Sequence, residues 1–383
     1  MKTVGIICEY NPLHLGHKKQ LAAVRQHFGE EAGIVCLMSG NFVQRGAPAV
    51  FDKSLRAKAA VLSGADLVLE LPVRYALSSA EGFADGGVGI LSGFCDVLSF
   101  GTETGDGEKL MHTAKQLRSE EFSAFLRATL DTGLSFPAAR QAALKEMGGG
   151  SELLTKPNDI LAVEYCKAIL ARGGKMEVFP VTRGGDYHDT ALQPQEPSAT
   201  ALRHSMESGD AWLSYVPEEA AACFRNAGIH TLQAGERAVL AKLRTMTDEE
   251  FERLPHGSEG LWRKFMHESR REATVEDILT ATKSKRYTRT RLDRMLMCAF
   301  LGITQRMMEE PAPYVRVLAL NDKGREILKK ARQTGTFLNA GQVTEDPWWA
   351  MEQQIGELYG LFSKDSPDAP GLERARRVVY LEK

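Results

Sequence analysis

Val4-Gly5-Ile6-Ile7-Cys8-Glu9-Tyr10-Asn11-Pro12-Leu13-His14-Leu15-Gly16-His17 sets an apolar run, a proline turn and an H-x-G-H tetrad in immediate succession. The run from Thr3 to Cys8 reads as a buried strand, and Asn11-Pro12 ends it. From His17 onward Leu21, Val24 and Phe28 recur at helical spacing. A strand therefore feeds a helix N-terminus through a tight turn, where backbone N–H groups and the helix dipole favour an anion. Gly16 lets the backbone come close to a phosphate with no Cβ in the way. His14 and His17 can donate imidazole N–H bonds as charge builds on a leaving pyrophosphate, and Lys18 and Lys19 stand directly behind them. The pair also fits a plainer reading, a helix cap plus a surface residue. Gly16 between the histidines, with no Cys or carboxylate nearby, does not make a zinc set, and no metal ligands are assigned.

Outward from that stretch, strand-like and helical runs alternate. Thr3 to Cys8, Gly33 to Met38, Asp66 to Leu71 and Asp96 to Phe100 read as strands, separated by helices at His17 to Phe28, Asp52 to Ser63 and Ser79 to Ser92. Such βαβ alternation predicts an α/β fold with a parallel sheet, right-handed crossovers and covered faces. With strand order 3-2-1-4-5, ligand is expected at the carboxyl ends of the strands. The loops there are rich in polar groups. Ser39 to Pro48 carries Asn41, Gln44 and Arg45, and Gly101 to Gly105 follows the fourth strand. A fifth strand, Met176 to Val181, leads into Thr182-Arg183-Gly184-Gly185-Asp186-Tyr187-His188. Further on, Ser198-Ala199-Thr200-Ala201-Leu202-Arg203 reads as a capped helix start, an arrangement that also suits phosphate.

Composition bounds the rest. At 383 residues the chain exceeds one ordinary core, so we expect a nucleotide-binding unit over residues 1–208 and a mainly helical one over 209–383. Val239, Leu243 and Met246, and likewise Leu292, Met295, Leu296 and Ala299, are apolar stripes of helical core. Tyr314 to Leu320 and Lys323 to Arg332 read as a strand and a helix in a small α/β appendage. Six scattered cysteines without a C-x-x-C read as buried hydrophobes in a reducing compartment. With no long apolar stretch and no signal peptide, the expected location is the cytoplasm, away from membranes. A net charge of −2 excludes a uniformly basic nucleic-acid binder. It leaves room for a local patch. Lys283 to Arg294 supplies one, with six basic residues, one acid and Tyr287. Lys285, Arg286, Arg289 and Arg291 there suit a phosphodiester backbone, and Tyr287 a stacked base.

The H-x-G-H tetrad at residues 14–17, with the Ser198 to Arg203 motif, resembles the H-x-G-H nucleotidyltransferases. Pro197 and Leu202 stand where that superfamily commonly has isoleucine. The nearer resemblance is to the bacterial tRNA(Met) cytidine acetate ligases. It is carried by Gly5 to His17, Met38-Ser39-Gly40-Asn41-Phe42-Val43-Gln44-Arg45-Gly46, Lys156-Pro157-Asn158-Asp159-Ile160-Leu161 and Lys285-Arg286-Tyr287-Thr288. It is strongest over residues 3–203 and weak after Gly302.

The resemblance implies a Rossmann-like nucleotidyltransferase domain and a two-step reaction. ATP and acetate form acetyl-adenylate, and the acetyl group then passes to N4 of the wobble cytidine of elongator tRNA(Met). By position it assigns ATP to Ile7, Cys8, Glu9, Tyr10, Asn11, Pro12, Leu13, His14, Leu15, Gly16, His17, Lys18, Lys19 and Gln20, with Gly101, Asn158 and Arg183. Ser198 and Thr200 join them from the second motif. His14, His17 and Lys18 are the catalytic candidates. Asn41, Gln44, Arg45 and the Lys285 to Arg291 cations are the tRNA candidates. The absent side chain of Gly101 is expected to leave room for adenine or ribose. Mg2+ is expected to travel with ATP, since no carboxylate cage is visible. Two other readings share the site: a nucleotidyltransferase acting on a small phosphorylated metabolite, and a non-catalytic nucleotide-sensing RNA-binding protein. Oligomeric state is left open.

Overall fold

The computed structural model describes residues 1–183, 198–206, 209–339 and 347–382. The Gly184 to Pro197 stretch, with its Gly-rich loop, lies outside the described residues. The five expected strands are all present: β1 (Thr3–Cys8), β2 (Gly33–Ser39), β5 (Leu67–Leu71), β6 (Val97–Thr102) and β7 (Glu177–Thr182). They lie parallel in the order β5-β2-β1-β6-β7. Every residue of β1 and β2 is buried, as a strand covered by helices on both faces must be. Successive residues serve opposite cores. Val35 and Leu37 pack on one side of the sheet, while Ile34, Cys36 and Met38 pack on the other.

One expectation is corrected. The strand β8 (Val315–Leu320) is not part of a separate appendage but lies antiparallel beside β5, extending the central sheet. Two short strands, β9 (Phe337–Asn339) and β10 (Val379–Tyr380), run parallel to β8. The Asp322–Ala331 helix packs Ile327 into the sheet's core. All six residues of β8 are buried, and that burial draws it onto the apolar edge of β5.

A buried charge network anchors this C-terminal part. Lys53 Nζ lies 2.7 Å from both Glu70 and Glu373, Arg316 pairs with Glu373, and Arg376 grips Asp52 at 2.7 and 2.8 Å. Glu352 joins it, its carboxyl pushed up to about 7 by burial and then by Glu70. Such a network adds little net stability but costs several kcal/mol when one member is removed.

Residues beyond 210 are mainly helical, as expected. The Arg289–Leu301 helix is the middle of a third apolar cluster with Val239, Leu243, Leu292, Met295 and Leu296. Its start presses against a hairpin made by β3 (Phe42–Val43) and β4 (Ala47–Pro48). At the hairpin's tip Gly46 has φ +77, and a Cβ there would stand 2.3 Å from the backbone of Asp293 and Arg294. Glycine satisfies the left-handed turn and the close approach together. Among the described residues no helix is long and apolar enough to cross a membrane. Five of the six cysteines are buried and all are free.

Candidate active site

A cleft of ≈480 Å³ opens at the carboxyl ends of β1, β6 and β7. That is the crevice where strand order reverses. Its floor is the turn after β1. The Asn11-Pro12 peptide is cis. Asn11 Oδ1 accepts from Val50 N at 2.7 Å, and its backbone oxygen accepts from Arg203 Nη1 at 2.7 Å, so one residue ties three distant segments together.

The two histidines turn out to be a cap and a donor pair at once. His14 is the N-cap of the Leu15–Phe28 helix. Its Nδ1 accepts from Gly16 N at 3.1 Å, and His17 Nδ1 accepts in return from His14 N at 3.2 Å. With both Nδ1 atoms used as acceptors, the neutral rings carry their protons on Nε2. The rings lie 3.7 Å apart, and His14 Nε2 has no partner among the described residues. Burial, then Arg183 and Arg203, pushes His14 down to about 3. Burial, then His14 and Arg183, lowers His17 well below the usual imidazole range. At neutral pH the site therefore holds two uncharged Nε2–H donors. A Cβ on Gly16 would come within 3.0 Å of the His14 ring.

Cationic side chains gather in the same cleft. Lys19, Arg45, Arg183, Arg203 and Lys364 line the cleft, and Glu9 is the one carboxylate among its described lining residues. Glu9 Oε1 accepts from Gln44 N at 2.7 Å. Such a balance suits a polyanion. The end near β6 is apolar, walled by Phe83, Phe100, Leu161 and Tyr165.

The structure brings most of the expected nucleotide residues together. Ile7, Cys8, Glu9, Tyr10, Asn11, His14, Gly16, His17, Lys19, Gln20, Gly101, Asn158, Arg183, Ser198 and Thr200 all line the cleft. Pro12, Leu13, Leu15 and Lys18 do not. Leu13 is fully buried in the core. Lys18 is turned one helical step away from His17, and its Nζ pairs with Glu219 at 2.6 Å. At Gly101 a Cβ would meet Arg183 Cδ at 2.6 Å, so the missing side chain makes room for that arginine. Ser198 caps the Ala199–Ser205 helix through Ala201 N, and Thr200 Oγ1 accepts from Arg203 Nη2 at 3.1 Å.

Of the expected RNA residues, Gln44 and Arg45 line the cleft. Asn41 does not. It is buried as a staple whose Oδ1 accepts from Lys53 N at 2.9 Å. Lys285, Arg286, Tyr287, Arg289 and Arg291 do not line the cleft; Lys285, Arg286 and Tyr287 precede the helix that supports the hairpin, and Arg289 and Arg291 lie in its first turn. Arg289 is held by Glu276 at 2.7 Å and Asp293 at 2.8 Å, and Arg286 pairs with Glu259 at 3.0 Å. Arg291 bonds His256 O and lies 5.1 Å over the Tyr287 ring, covering a face that was expected to stack on a base.

Residues the sequence did not single out complete the cleft. His230, Thr231 and Lys364 reach it because Lys364 N bonds Ile229 O and Thr231 N bonds Phe362 O, contacts that leave no local signal. Arg203, seen in its motif but not assigned a role, also lines it.

A strand-turn-helix start bearing H-x-G-H, with two uncharged histidines and a cation-rich crevice at a switch point, defines a nucleotidyl transferase site. The model of the HIGH Nucleotidyl Transferase family matches residues 1–370, and the chain belongs to that family. It is 36% identical over 363 residues to the tRNA(Met) cytidine acetate ligase of Clostridium novyi, covering 88% of this chain and 89% of that protein. It is 34% identical over 389 residues to the tRNA(Met) cytidine acetate ligase of Clostridium acetobutylicum, covering 95% and 96%. The crystal structure of Thermotoga maritima TmcAL bound with alpha-thio ATP covers all of both chains at 28% identity, with a TM-score of 0.88; the apo form gives 29% and 0.90. Within its superfamily the chain therefore belongs to the tRNA(Met) cytidine acetate ligase family.

Proposed function

We propose that this chain activates acetate with ATP and acetylates N4 of the wobble cytidine of elongator tRNA(Met). The observation that carries the reading is the pair of neutral Nε2–H donors at a helix start, in a cleft lined by lysines and arginines. In the first step an acetate oxygen attacks the α-phosphorus of ATP in line, the bond to the bridging oxygen breaks, and pyrophosphate leaves with its charge. His14 and His17 donate to the phosphate oxygens, while Arg183 and Arg203 hold the triphosphate. In the second step cytidine N4 attacks the acetyl carbonyl, AMP leaves, and N4 gives up a proton. The names of the Clostridium relatives and the alpha-thio ATP complex of the Thermotoga protein support tRNA and ATP as substrates.

Mg2+ fits this cleft only as a companion of ATP. Glu9 already accepts from Gln44 N, and among the described residues no three His, Cys, Asp or Glu side chains cluster as a cation site. No protein ligand is assigned to it.

We further propose that residues 1–208 carry most of the nucleotide site, with His230, Thr231 and Lys364 completing it, that residues 209–383 carry the RNA platform, and that the reaction takes place in the cytoplasm. Gln44 and Arg45 meet the anticodon loop at the cleft mouth, and Lys285 and Arg286 meet its backbone. Arg289, Arg291 and Tyr287 fix the shape of that segment through the contacts described above.

The test is acetate-dependent ATP–pyrophosphate exchange. Exchange that needs acetate and falls by ~10²-fold or more in His17→Ala, followed by acetylation of tRNA cytidine, is the expected result. Exchange indifferent to acetate overturns the reading. Exchange with acetate but no transfer to tRNA points to another acceptor.

A further inference from the structure

The apolar end of the cleft, formed by Phe83, Phe100, Leu161 and Tyr165, suits a planar base, and Asn158 brings a polar side chain to it. The loop after β6 and the start of the Pro157–Ala171 helix clamp each other reciprocally. Asp159 Oδ1 accepts from Glu103 N at 2.9 Å and Thr104 N at 3.1 Å, while Glu103 Oε2 accepts from Asp159 N at 2.8 Å. Glu103 Oε1 accepts from both the backbone N of Asn158, at 3.3 Å, and its side-chain Nδ2, at 2.8 Å.

That last bond fixes which way the Asn158 amide points. A carboxylate only accepts, so the reversed amide would set oxygen against oxygen. Nδ2 must face Glu103, and Oδ1, which has no partner among the described residues, faces away from it.

Resting on the ATP-dependent reading above, we infer that Glu103 is a positioning residue that presents the Asn158 carbonyl to the base, so that the cleft accepts a purine with a 6-amino group and rejects a 6-oxo purine. Adenine offers an N–H donor at that position. Hypoxanthine offers an acceptor and leaves two oxygens opposed. A site built around one such bond discriminates strongly, because the wrong base strands a polar group.

Replacing the carboxylate by an amide removes the constraint. In Glu103→Gln the side chain can still accept from Asp159 N through its oxygen. That orientation gives up the 3.3 Å bond from the backbone N of Asn158 and turns the new NH2 toward the Asn158 side chain, whose amide turns round and shows Nδ2 to the base.

The experiment compares ATP with inosine triphosphate in acetate-dependent pyrophosphate exchange and, without acetate, in equilibrium binding. The native protein is expected to favour ATP by ~10-fold or more. In Glu103→Gln the ratio should shrink by about tenfold, through a lower KM for inosine triphosphate and a higher KM for ATP. Asn158→Ala leaves the Glu103 bonds to backbone in place and should lose the preference as well. A folded Glu103→Gln protein with the native ratio, or one that loses both nucleotides equally, overturns the inference and leaves Glu103 a helix cap. Absence of exchange in the native protein defeats the acetate reading alone, because the binding comparison still decides the role of Glu103.

Discussion

Stability should fall with pH more steeply in the native chain than in a His14→Asn variant, and the difference follows from where the imidazole is buried. In the unfolded chain His14 titrates near its ordinary value of about 6.5. In the fold, burial and the neighbouring Arg183 and Arg203 hold it down to about 3. Between pH 7 and pH 5 the unfolded chain therefore takes up a proton that the folded protein refuses, and folding loses stability as pH falls. The loss over this window is about 2 kcal/mol. It is set almost wholly by the unfolded value, because pH 5 still lies roughly two units above the folded one. Asparagine keeps a cap acceptor for Gly16 N but carries no titrating group. His256, pushed down to about 4 by burial and then by Arg294, contributes a similar slope that both proteins share. Urea unfolding at pH 7, 6 and 5 should show the variant losing about 2 kcal/mol less than the native chain. Parallel pH dependence of the two, or an imidazole resonance of His14 that titrates between pH 5 and 7 in the folded protein, would refute the neutral-donor description of the site.

Gly46→Ala must force a left-handed residue against the start of the Arg289–Leu301 helix, and should cost about 2–5 kcal/mol in urea unfolding; a loss under about 0.5 kcal/mol would mean that the hairpin can move away. Lys18→Ala, which removes a surface pair with Glu219, should leave acetate-dependent exchange within about twofold of native and stability within about 0.5 kcal/mol. A Lys285→Ala, Arg286→Ala double variant should weaken tRNA binding and reduce the slope of log affinity against log salt by about 1–2. Its exchange activity should stay native, and an unchanged salt slope would remove these two residues from the RNA platform.

The central five strands were legible because each helical crossover has its own apolar period, and parallel order follows from crossover handedness. β8 was legible as a strand but not as a member of that sheet. Its partner, β5, is a buried aliphatic run much like any other, and nothing local in Val315–Leu320 names it. The site divides in the same way. His14, Gly16, His17, Arg183 and Ser198 belong to motifs whose spacing carries chemistry. Lys18 stands off the cleft because adjacency in sequence is a 100° turn on a helix, which sends it to Glu219. Glu103 escaped notice because it caps a helix 55 residues away, and the packing of Arg183 against Gly101 left no signal because it comes from the neighbouring strand's end.

The antiparallel pairing of β5 with β8 has a consequence for synthesis. About 240 residues separate Leu71 from Val315, so at ~5–20 residues per second a ribosome needs roughly 12–50 s to deliver the second strand after the first. Through that interval β5 presents an uncovered, aliphatic strand edge, of the kind that recruits other chains. The nascent protein is thus exposed to aggregation for longer than its finished sheet suggests, and a chaperone that shields β5 until β8 emerges would raise the yield of folded molecules without touching the cleft.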